Sequence, residues 1–191
     1  MALALPLLAG LAIAPLLGGR WSRLGQLRLQ WIGLFYAAIA LQLVAFPVSA
    51  LPWRTPDRAA VALWLCSYGL LAIGAARNLR IRGVPLIAAG MLSNVAAILS
   101  NGGHMPALPS ALRAAGLHFE QSRNSTALAA PHLSALVDRW AAPKWVPWAN
   151  VFSVGDVLIA FGGFVFALAA TGALRRLAPP AGRIGPAPDG A

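Results

Sequence analysis

The chain has 191 residues, of which 59% are hydrophobic and 10% charged, and a formal net charge of +10; its mean hydropathy is +0.69. Soluble domains carry about 25% charged residues, so this composition argues against a water-soluble globule and predicts an all-α polytopic membrane bundle of five transmembrane helices. The basic residues, all arginine except Lys144, stand at the ends of apolar runs rather than among exposed aromatics, so nucleic acid is not an expected partner.

The apolar runs have the length that crosses a ~30 Å hydrocarbon layer. Each is expected to be helical, because a backbone in lipid must satisfy its own hydrogen bonds and no alternation suggests a barrel. The first span, 2–19, opens MALALPLLAG without a basic residue and is followed by Arg20, Arg23 and Arg28. That order is the reverse of a secretory signal, so the segment is expected to remain as an anchor. The second span is 31–50. Before the third, 60–76, TPDR at 55–58 offers Thr55 as cap, Pro56 as first helical residue and Asp57 for the dipole. Cys66 lies within this span as the sole cysteine, which excludes an intrachain disulfide and a cysteine-based metal cluster. Its expected role is a small buried hydrophobe. The fourth span is 84–100. The first four spans form two hairpins with similar basic turns, GGRWSRLGQLR and GAARNLRIRG, a resemblance that topology alone would also produce.

Between the fourth and fifth spans runs a stretch, 101–153, too long for a plain connector. It begins NGGHMP, where glycine in the left-handed conformation followed by proline is the pattern of a helix C-terminus. PSALRAAG predicts one short helix stopped by Gly116. In HLSALVDRW, Leu133, Leu136, Val137 and Trp140 are spaced for one face of a second, interfacial helix. The polar middle, HFEQSRNSTALAAP, is expected to be the loop's tip.

The fifth span, 154–174, is opened by SVGD at 153–156. Ser153 and Asp156 have the spacing of a capping box, with Phe152 and Val157 placed for a hydrophobic staple. Residues 1–176 are thus expected to form one transmembrane domain, and the Pro-, Gly- and Ala-rich stretch 177–191 a disordered cytoplasmic tail.

Arginine is densest in 20–30, 77–83 and after 174. The positive-inside rule therefore places the N-terminus and the long loop outside and the C-terminus inside. Trp21 and Trp31 would mark the inner interface, and Trp53, Trp64, Trp140, Trp145 and Trp148 the outer one. The alanine- and arginine-rich composition suggests a bacterial inner (cytoplasmic) membrane.

His104, His118 and His132 all fall in the loop without metal-ligand spacing, and phosphate-loop, dinucleotide and nucleophile-elbow motifs are missing. No catalytic residue, metal ligand or cofactor is therefore indicated. An enzyme would need His104 or His132 beside Asp138 or Asp156. Polar residues at the outer end give one candidate cluster: Asn94, Asn101, His104, Asp138, Ser153 and Asp156.

Three elements, Asn101-x-Gly103-x-Met105-Pro106, Leu136-x-Asp138 and Ser153-x-Gly155-Asp156, resemble an uncharacterised family of small bacterial polytopic membrane proteins carrying a domain of unknown function, over residues 20–172. The resemblance implies the bundle fold and one outer-face cluster, and no activity. The leading functional expectation is a non-catalytic accessory subunit of a membrane complex, its outer loop docking another membrane protein. The alternative is a binding or transport protein for a small molecule or lipid, with a polar pocket under that loop.

Overall fold

Proline and glycine set the ends of the helices. The structure, a computed structural model, describes residues 4–47, 55–117, 125–143 and 150–177. Helix α1, Ala4–Ile13, passes into a 3-10 turn at Ala14–Leu17, where Pro15 supplies no N–H, and closes on Gly18 at φ 77°. Helix α2, Ile32–Ala45, stops ahead of Pro47, which disfavours helical backbone in the residue before it. Helix α3, Asp57–Arg77, has Pro56 rather than Thr55 at its N-cap. The Thr55 hydroxyl donates to the Val44 carbonyl instead of capping, and so ties α3 to the end of α2. Helix α4, Val84–Ser100, follows Gly83 at φ 94° and carries Pro85 in its first turn. Helix α6, Val154–Ala170, ends at Thr171, short of the expected 174, and Gly172 at φ 78° turns the chain into the short α7, Ala173–Leu177.

All five expected apolar segments are thus helical. Among the described residues only α3, with 21 residues, is long and apolar enough on those criteria alone to cross a membrane; the others are shorter apolar helices of 10–17 residues.

Their directions follow from side-chain pairs. Gln42 meets Ser67, and Phe35 packs on Gly74, so α2 and α3 are antiparallel. Gly83 lies against Gly162, and Gly90 against Gly155, so α4 and α6 are antiparallel as well. Leu7, Gly10 and Gly19 face Gly163, Ala167 and Thr171 in turn, which makes α1 parallel to α6. Neighbours therefore run α2, α3, α4, α6, α1. Arg20, Arg23, Arg28, Arg77, Arg80, Arg82 and Arg175 all fall at one end of this row, and the described parts of the 101–153 segment at the other.

That segment makes a roof. Gly102 and Gly103, at φ 77° and 89°, turn the chain after α4, and the Gly103 N–H donates to the Ile98 carbonyl at 2.9 Å. Strand β1, Met105–Ala107, pairs in parallel with β2, Ser125–Ala127. Between them lies α5, Pro109–Ala115, closed by Gly116 in the left-handed conformation as the sequence predicts. The interfacial helix expected over 133–140 does not form. Residues 132–136 are turns, Leu133 has φ 51°, and Trp140–Ala141 is a strand, β3, antiparallel to β4, Val151–Phe152. The helical spacing reflects burial of Val137 within Trp64, Ala97, Ile98 and Met105, the core beneath the roof. The tail beyond Leu177, residues 118–124 of the expected tip with His118, and Trp53, Trp145 and Trp148 lie outside the described residues, whereas residues 125–127 of that expected tip form β2.

Candidate functional site

Under the roof lies a cavity of about 820 Å³. Its wall is drawn from Pro6 of α1, Gln42 of α2, Trp64 and Tyr68 of α3, Asn94 and Ile98 of α4, and the α6 face from Asp156 to Phe164; the roof adds Met105, Ser125, Asp138 and Asn150–Phe152.

Asp156 enters through the start of α6. The Ser153 hydroxyl accepts the Asp156 N–H at 3.1 Å, and the Asp156 carboxylate accepts the Ser153 N–H at 3.0 Å, which completes the capping box. Asn94 then joins α4 to this cap. Its amide donates to the other Asp156 oxygen at 3.0 Å, and its carbonyl accepts the Ser153 hydroxyl proton at 2.9 Å. Ser153 is fully buried and Asn94 5% exposed, so the bonds form where water does not compete. Gly155 makes room for them, because a Cβ there would overlap the Asn94 amide.

Asp138 enters from the roof. Its backbone N–H donates to the Pro106 carbonyl at 2.9 Å and its carbonyl accepts from Leu108 at 2.9 Å, stitching it to β1 in a parallel bridge. The side chain is 7% exposed, and its Oδ1 is buried without a hydrogen-bond partner. Burial pushes the carboxyl up from its ordinary value to about 8, with the Asp156 charge adding to the rise.

The six candidates therefore divide. Asn94, Asp138 and Asp156 line the cavity, with Ser153 directly behind them. Asn101 has a different task at the end of α4. Its amide donates to the His132 carbonyl at 3.0 Å and its side-chain oxygen accepts the His132 N–H at 2.9 Å, pinning the far turn of the roof. Neither Asn101 nor His104 is among the cavity-lining residues. Among the described residues no group of three His, Cys, Asp or Glu side chains is gathered for a metal.

Gln42, Trp64 and Tyr68 complete the site without having been marked in the sequence. Trp64, taken for an interface residue, is 7% exposed and stands edge-on between Phe46 and Tyr68, at ring distances of 5.7 Å and 5.6 Å. Gln42 donates to the buried Ser67 hydroxyl at 3.1 Å. A glutamine in an apolar run was the available signal, since such groups face protein rather than lipid. Cys66, expected to be buried, is exposed, on a different face of the same helix.

A family model described as a family of unknown function, DUF5317, matches residues 26–168. The chain belongs to this family. The match covers nearly the stretch over which the resemblance was drawn, and every DUF5317 cavity residue named above except Pro6 falls inside it. No curated protein and no solved structure matches the chain.

Proposed function

We propose that the protein is a five-span integral membrane protein, of a bacterial inner membrane, that binds a small molecule in the roofed cavity. The observation that carries this reading is Asp138, a buried carboxylate with an unused oxygen on the wall of a cavity large enough for a ligand. Buried polar atoms are ordinarily satisfied, and pockets with few polar groups among apolar walls are the usual form of ligand sites.

The membrane reading is supported by the outward surface and by the charges. Leu5 and Leu8 of α1, Tyr36, Ile39 and Leu43 of α2, and Leu92 and Leu99 of α4 are exposed large hydrophobics, which lipid would cover. The arginine-rich end fits the cytoplasmic side, leaving the roof and cavity outside. Apolar helices shorter than the bilayer are accommodated by local thinning and by interfacial anchors. An accessory role rests on the same apolar surface, to which lipid is a sufficient partner.

Native mass spectrometry of the full-length protein, freshly extracted in mild detergent, is expected to show a small-molecule adduct that denaturation releases. Ala160→Phe, which fills the cavity wall, should abolish it. A bare wild-type mass, with no compound of a metabolite library raising Tm, would sink the reading; a stoichiometric protein partner unaffected by Ala160→Phe would favour the accessory role.

A further inference from the structure

Three features of the cavity specify the charge of its occupant. In a chain of net charge +10, the described lining includes Asp138 and Asp156 and no arginine, lysine or histidine. Asp156 already accepts two hydrogen bonds, from Asn94 and Ser153, whereas Asp138 Oδ1 accepts none and is buried. The same lining holds four aromatic rings, Trp64 and Tyr68 on α3 and Phe161 and Phe164 on α6. Faces of such rings attract ammonium groups, and their apolar area suits the body of an amphiphilic ligand.

We propose that the ligand is a protonated amine with an apolar body, its N–H donated to Asp138 Oδ1 and its charge shared by Asp138 and Asp156. The assignment rests on the ligand-binding reading above. A primary or secondary ammonium fits better than a quaternary one, because only the former supplies the donor that the orphaned oxygen lacks. A divalent metal fits less well, since Asp156 is committed to its cap and, among the described residues, no third His, Cys, Asp or Glu joins the pair.

Binding also moves a proton. The titratable groups facing Asp138 are Asp156 from α6 and Tyr68 from α3. At neutral pH the Asp138 carboxyl, with its value lifted to about 8, holds a proton. An arriving ammonium replaces that proton, so affinity is expected to rise by up to about tenfold per pH unit as pH approaches 8, and then to level off.

The test uses the full chain in detergent micelles and isothermal titration with three probes of one shape: phenethylammonium, 2-phenylethanol and 3-phenylpropionate. The amine is expected to bind, with proton release read from buffers of different ionisation enthalpy, and the alcohol and the carboxylate are not. Asp138→Asn, which keeps the shape, should weaken amine binding by roughly tenfold or more, with retained Tm showing that the fold survives. Binding of the alcohol as tight as that of the amine, or full amine affinity in Asp138→Asn, overturns the amine assignment and leaves the cavity reading standing. Failure of all three probes beside a resident adduct in native mass spectrometry likewise overturns the ligand class alone. Failure of the probes with no adduct and no stabilising compound removes both.

Discussion

At Asp138 the backbone is bonded on both sides while one carboxylate oxygen is left without a donor. The imbalance has a consequence for stability. The folded-state value of about 8 stands above the ordinary 3.8, so between these limits the folded chain holds a proton that the unfolded chain has released. Stability from this group is complete below about pH 4 and falls as pH rises to about 8. Thermal unfolding of the ligand-free protein in detergent should show Tm declining over that window, with a shallower decline in Asp138→Asn. Asn94 is the complementary case, since both ends of its amide are used. Asn94→Leu would strip a donor from Asp156 and an acceptor from Ser153. A loss of about 1–3 kcal/mol is expected from groups left unsatisfied, measured as lowered unfolding stability against Ser153→Ala, which forfeits the cap at about 1 kcal/mol.

The helices meet through glycine. Gly83 at the N-cap of α4 and Gly90 within it are spaced seven apart, as are Gly155 and Gly162 on α6, so the antiparallel pair brings backbone against backbone at two levels. Gly155→Ala would push a methyl group into Asn94 and the Gly90 carbonyl, and a cost of about 1–3 kcal/mol is expected. Gly69→Ala on α3 is the control: nothing lies within 4 Å of the added carbon, and helix propensity favours alanine by about 0.5–1 kcal/mol. Chemical denaturation of the two variants in one detergent should move in opposite directions. Element by element, what was legible in the sequence was whatever local chemistry decides: the five apolar helices, the capping box at Ser153 and the turns at Gly102, Gly103 and Gly116. The region around Val137 was misread for a definite reason. Its helical spacing satisfies packing against Trp64 and Ile98, but the backbone bonds go sideways to β1 and β4, and sideways partners leave no mark on local periodicity.

Across the molecule, ends differ more than faces do. The arginines of the α1–α2 and α3–α4 turns and of α7 gather opposite the roof, and a topology follows that labelling can check. In a Cys66→Ser background, a membrane-impermeant maleimide applied to intact spheroplasts should react with Arg113→Cys on α5. It should react with Arg80→Cys, in the turn between α3 and α4, only after permeabilisation; the opposite pattern would invert the orientation. Of the site, the sequence disclosed the polar residues but not their partners: Asn94, Asp138 and Asp156 converge, while Asn101, two helical turns from Asn94, serves the roof instead. Gln42 and Tyr68 were missed because convergence of α2 and α3 on the cavity is a property of packing order. That order makes the paired glycines a spacer gauge for the whole outer end. Asp138 hangs from the strand that follows α4, and Asp156 rides on the first turn of α6, so the separation of the two carboxylates is inherited from how closely those backbones abut. One extra carbon at Gly162, two helical turns from Gly155 on the side of α6 that meets α4, would therefore change which molecules the cavity accepts without altering a single residue that lines it.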